Sequence, residues 1–222
     1  MSNHSTPLLL PFSDFLESIR GSTRSDHSLG NVLSLLFEPS PILLDNLAPN
    51  LLEQLNNAND SDTPRTYAEL IDQALAIAYA WPFESQAEFV GGHPRIGEVK
   101  GLSALSAAEQ GQSQNPSSTN IPAPTPPEIL SRLAQLNAMY ERRYPGLVYI
   151  TFVNGRSRAE IRDEMQDRLS SEGVLPNADE AGGLDKIVPH DVPSEAWCKE
   201  VERAVDDVGK IAKSRLINLG FE

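Results

Sequence analysis

One run of the sequence combines an imidazole, a proline and flexible backbone: Gly91-Gly92-His93-Pro94-Arg95-Ile96-Gly97. Pro94 disfavours helical geometry at the residue before it and pushes His93 toward extended backbone, while the flanking glycines allow sharp turns or close approach of a ligand. Histidine is the side chain whose ordinary pKa lies nearest neutrality, so an imidazole fixed on a rigid loop suits giving or taking a proton. The same run fits a histidine that caps a helix end or sits at the surface, and both readings stand at this point.

Further along, Ser106, Glu109 and Gln110 sit at i, i+3 and i+4 and share one face of a short helix. Leu102 and Leu105 precede them, so this polar stripe can line a cleft while the leucines pack; an ordinary solvated face gives the same pattern. The C-terminal segment has Val201, Val208 and Arg215 at seven-residue spacing, flanked by Val205, Ala212 and Leu219. Arg215 therefore falls on an apolar stripe. A guanidinium buried there needs an internal acid or an anionic ligand, unless it snorkels and meets the last carbonyls of its own helix. Phe152-Val153-Asn154-Gly155-Arg156-Ser157 is an apolar extended run leading into a helix N-terminus, where free amides suit carboxylates and other polar ligands; structural packing explains it equally well.

The elements that must position these residues are helical. Phe12, Phe15, Leu16 and Ile19 follow three- and four-residue spacing within 11–19, and helices are expected at 31–37 and at 42–55, the latter broken by Pro49. Thr63-Pro64 is expected to cap and open a helix to about Ala80. Ser103 can cap a helix through Glu109, Thr125-Pro126-Pro127-Glu128 reads as a capping box before Ile129, and Ser157 with Glu160 repeats the pattern before Ile161. The last helix is expected from Glu195 to Leu219, ending at Gly220. Only 147–153 has strand composition, and one extended segment cannot make a sheet.

The chain has 222 residues, 40% hydrophobic and 22% charged, which suits one domain with a substantial core. The expectation is an all-α, single-domain helical bundle over 1–222, with about seven to nine helices. Two stretches without apolar periodicity, Gln112 to Thr125 and Ser170 to Pro193, read as exposed or disordered loop insertions. The formal charge of −13 argues against nucleic acid as a partner. The longest apolar run, Ala74 to Phe83, is too short to span a bilayer, and neither a secretory leader nor a membrane partner is expected. Cys198 is the single cysteine, and His4, His27, His93 and His190 show no metal-ligand spacing, so no metal is expected.

Four ordered blocks resemble the 2-oxo-4-hydroxy-4-carboxy-5-ureidoimidazoline (OHCU) decarboxylase family of purine catabolism. Phe37-Glu38-Pro39-Ser40-Pro41 resembles its F-E-x-S-P element, His93-Pro94-Arg95-Ile96-Gly97 its H-P-x-[LI]-G loop, Ser106 to Gln110 its S-x-x-E-Q, and Lys210 to Leu216 its terminal K-I-x-x-x-R-L. The resemblance implies an all-helical homodimer acting on a small ureidoimidazoline without metal or organic cofactor. It also implies that His93, Glu109 and Arg215 are catalytic and that Pro94, Ser106 and Gln110 bind substrate. In relatives the segment matching Ile150 to Asn154 lends backbone contacts to the substrate ring. The chain departs from typical members in its two insertions and in Gly92, where an acidic or other residue often precedes the histidine.

That family's substrate carries its carboxylate on a hydroxylated ring carbon beside a ring C=N, which can take up the electrons released with carbon dioxide. The resemblance thus implies formation of (S)-allantoin in urate breakdown, with His93 handling the proton, Glu109 orienting the substrate and Arg215 binding anionic charge. Two other readings are weighed: a helical scaffold without catalysis, and a hydrolase of a related ureide. Relatives in animals and plants are often peroxisomal, but Leu219-Gly220-Phe221-Glu222 is not an S-K-L address, leaving peroxisome or cytoplasm.

Overall fold

A computed structural model of the protein describes residues 9–20, 27–109, 125–175 and 183–221. Among them are ten α-helices, one π-helical segment and no strand. The chain is all-α, as expected, and exceeds seven to nine helices because two elements are very short. In order they are α1 Phe12–Ile19, α2 His27–Phe37, the π-helical Leu43–Leu47, α3 Ala48–Asn57, α4 Tyr67–Tyr79, α5 Phe83–Val90, α6 Ala104–Glu109, α7 Pro127–Arg143, α8 Arg158–Ser171, α9 Gly183–Lys186 and α10 Glu195–Asn218.

The chain divides into two compact units, Met1–Gly92 with Val205–Glu222, and His93–Ala204. The first holds α1 to α5 and the second half of α10. Its core includes Leu33, Leu36, Leu43, Leu47, Leu51, Leu70, Ile71, Val205 and Val208, all buried. Tyr67 anchors one aromatic cluster, with Phe12 at 4.9 Å, Phe15 at 5.4 Å and Phe221 at 5.4 Å between ring centroids, and its hydroxyl donates to Leu10 O. Pro49 does not interrupt the chain direction as expected. It occupies the first turn of α3, where the missing N–H costs nothing, and the Ala48 N–H donates to Leu43 O in the π pattern just before it.

Thr63 does not cap α4. Its hydroxyl accepts from Arg20 Nη2 and donates to Asn59 O, and the cap passes to Thr66, which accepts from Glu69 N at 3.1 Å. Glu69 returns the bond by accepting from Arg65 N. The α10 stripe is as expected at Val201, Val205, Val208, Ala212 and Arg215, all buried, while Leu219 lies half-buried just past the helix end at Asn218. The helix ends in a Schellman turn: Gly220 has φ +84° and the Phe221 N–H donates to Leu216 O at 2.9 Å.

The second unit holds the His93 loop, α6 to α9 and the first half of α10, around Leu133, Leu136, Tyr140, Ile161, Met165, Leu169 and Trp197. Ser157 caps α8 with the full reciprocal box: its hydroxyl accepts from Glu160 N, and Glu160 accepts from Ser157 N. Thr125 does not cap α7. The N-cap is Pro126, which makes no side-chain bond, and the Thr125 hydroxyl accepts from Arg158 Nη1 at 3.1 Å. Most described residues of 170–193 are exposed, as expected, with a few points tied down. Val174 and Ile187 are buried, and Arg143 Nη1 donates to Val188 O while the His190 N–H donates to Arg143 O. Apart from Thr125, the 112–125 insertion lies outside the described residues.

Candidate functional site

The His93 loop leaves the end of α5 and is fixed onto α7. Asn137 Nδ2 donates to Ile96 O at 2.9 Å, and both residues are buried. Arg95 and Glu141 form a bidentate ion pair, with Nη2 to Oε2 at 3.0 Å, and Glu98 adds a 3.5 Å contact to Arg95. The Glu141 carboxylate raises the Arg95 pKa above its ordinary value, chiefly through their hydrogen bond. Gly97 has φ +91°, and a Cβ there would meet Leu133 Cβ and Cδ1 at 3.1 Å, so only glycine allows this approach. The imidazole of His93 is 5% exposed and the following Pro94 half-buried, which rules out a surface histidine.

Ser106 and Glu109 lie on α6. The Ser103 hydroxyl accepts from Ser106 N at 3.1 Å, as the expected cap requires. Ser106 is buried and Glu109 half-buried, so the stripe is not a plain solvated face. Gln110 lies outside the described residues. His93, Ser106 and Glu109 all lie in the second unit.

Residues 147–153 form no strand, and side chains hold the run in place. Glu164 on α8 accepts from the Tyr149 hydroxyl at 2.6 Å and from Thr151 Oγ1 at 3.1 Å. Arg156 pairs with Glu164 and donates to Thr151 Oγ1, Phe152 O and Val153 O. The turn that brings Arg156 back uses Asn154 at φ +46° and Gly155 at φ +77°.

Arg215 lies in the first unit and is 1% exposed, so it does not snorkel. Nη2 donates to Glu38 Oε1 at 2.8 Å, and Nη1 donates to Leu35 O at 3.2 Å and Leu36 O at 3.3 Å. The internal acid that a buried guanidinium requires is therefore Glu38, and the carbonyls it meets belong to the end of α2 rather than its own helix. Glu38 itself is 5% exposed and sits at φ +66°.

Sequence reasoning did not single out Asn137, Glu141, Glu164 or Glu38 as supports. The first three look like ordinary helix-surface polar residues, while Glu38 was visible within the F-E-x-S-P block but not as a partner. Among the described residues no three His, Cys, Asp or Glu side chains gather as metal ligands would, and no helix is long and apolar enough to cross a membrane.

A comparison with curated proteins found no match. The sequence model of the OHCU decarboxylase family matches residues 22–185, which include Glu38, His93, Pro94, Ser106, Glu109 and Gln110 but not Arg215. That match spans more than half of the chain, and the protein belongs to the OHCU decarboxylase family, the decarboxylases of urate catabolism.

Proposed function

We propose that the protein converts 2-oxo-4-hydroxy-4-carboxy-5-ureidoimidazoline to (S)-allantoin without a cofactor. The observation that carries this reading is the buried His93 imidazole, on a loop fixed to α7 by Asn137 and Arg95–Glu141, within the family-matched residues. The C–CO₂ bond breaks and its electron pair flows toward the adjacent ring imine, leaving an enol-type species. The ring nitrogen that receives the pair takes up one proton, and as the hydroxyl proton leaves, the ring carbon gains a proton on one face. His93 handles it, taking the ring hydroxyl proton or delivering to the new C–H carbon.

Glu109 accepts hydrogen bonds from ureido or ring N–H groups and orients the substrate. Ser106, Gln110 and Pro94 supply further contacts, and the backbone of 150–154 faces the ring as in relatives. Arg215 meets anionic charge on the substrate. Because the substrate is its own electron sink, the protein's work is to bind, orient and protonate. The active species is a homodimer, testable by sedimentation.

The experiment is turnover of substrate freshly generated from urate, with carbon dioxide and ammonia both assayed. Carbon dioxide release by wild type, lost in Glu109→Gln, supports the decarboxylase; ammonia or a ring-opened product favours a ureide hydrolase.

A further inference from the structure

Glu38 combines three features that are each costly. Its carboxylate is buried, its backbone lies in the left-handed region at φ +66°, and it faces a guanidinium that is itself 1% exposed. At the residue following a helix, this backbone conformation favours glycine, and α2 ends at Phe37. A side chain retained there against that preference points to a use for the carboxylate. Glu38 and the α2 carbonyls of Leu35 and Leu36 together fix the plane of the Arg215 fork through three bonds. They also surround it with negative charge and the negative end of a helix dipole.

We infer that Glu38 is a positioning residue that sets the direction and lowers the effective charge of Arg215. This rests on the decarboxylase reading above. In that reaction the negative charge begins on the carboxylate, which leaves as neutral carbon dioxide while the charge moves onto the ring. An uncompensated guanidinium would hold the starting carboxylate more tightly than the transition state, which lowers KM without helping kcat. With Glu38 beside it, Arg215 acts as a directed donor and does not clamp the departing group.

The test is steady-state kinetics of Glu38→Gln, alone and in an Arg215→Gln background, with helical circular dichroism confirming the fold. Loss of the carboxylate is expected to lower kcat about tenfold or more while KM stays level or falls. The effect should shrink or vanish when Arg215 is already replaced. A kcat within about twofold of wild type, or the same fractional loss in both backgrounds, overturns the inference. If Glu38→Gln does not fold, Glu38→Asp keeps the charge and withdraws it by one methylene; it should lose kcat without a rise in KM, and wild-type kcat in it overturns the inference. Absence of turnover by wild type sinks the decarboxylase reading instead, so the two failures are distinguishable.

Discussion

Glu164 and Arg156 form an ion pair that ties down the extended run 149–153, each also bonding to the run itself. Within this run the carbonyls of Phe152 and Val153 accept from the Arg156 guanidinium, while Glu164 on α8 holds the Tyr149 and Thr151 hydroxyls. Glu164→Ala should therefore release Tyr149, Thr151 and Arg156 together. Both side chains of the pair are about one-third exposed, so the stability loss is expected to be modest, about 1–2 kcal/mol. If this backbone faces the substrate ring as proposed above, activity should suffer more, with kcat/KM falling about tenfold or more. Urea unfolding and substrate kinetics on the same variant check this, and unchanged kcat/KM contradicts it.

Gly97→Ala probes the other support of the site. The added methyl would meet Leu133 at 3.1 Å on a backbone at φ +91°, so strain and overpacking combine. The expected cost is about 1–3 kcal/mol, with reduced turnover as the His93 loop lifts from α7. Thermal unfolding and kinetics measure the two effects; a variant as stable and active as wild type contradicts the close packing described.

Glu200 is a different kind of residue, buried at 4% exposure and accepting from the Tyr140 hydroxyl at 2.7 Å, from Arg168 Nη1 at 2.5 Å and from Arg203 Nε at 3.0 Å. Glu200→Leu takes the shared carboxylate from the Arg168 and Arg203 guanidinium groups and leaves an apolar side chain beside them. Removing one partner of a buried charge network costs about 3–5 kcal/mol, so urea midpoints should fall sharply. A loss below about 1 kcal/mol would show that the network relaxes to solvent.

Four tyrosines resist ionisation. Burial pushes Tyr67 up to about 12 and raises Tyr140, Tyr144 and Tyr149 above their ordinary value of 10.0. Tyr140 and Tyr144 are raised further by the carboxylates of Glu200 and Glu172. A folded-state pKa above the unfolded one contributes stability that is fully present below pH 10 and is lost as pH rises; for Tyr67 the loss runs from about 10 to about 12. Tyrosinate absorbance should therefore climb together with the loss of helical dichroism. Ionisation of these tyrosines near pH 10 with the helices intact contradicts the packing.

What the sequence made legible was what depends on neighbours along the chain. The Ser157–Glu160 box, the seven-residue stripe of α10 and the Gly220 turn all involve residues within one or two turns of each other. Thr63 and Thr125 misled because their hydroxyls serve Arg20 and Arg158, which sequence spacing does not reveal. The same limit hid the partner of Arg215. The apolar stripe showed that a buried guanidinium needs an acid, but Glu38 lies 177 residues away. Asn137 and Glu141 were equally silent, since their role is set by where the His93 loop lands on α7.

We propose stereospecific decarboxylation with His93 handling the proton. It is tested most directly by generating the substrate in situ from urate with a urate oxidase and a hydroxyisourate hydrolase, adding the protein, and following allantoin by circular dichroism. A rapid (S)-allantoin signal is expected with wild type and is lost in a folded His93→Ala variant. Racemic allantoin forming at the spontaneous rate with folded wild type, or near wild-type turnover by His93→Ala, would contradict it.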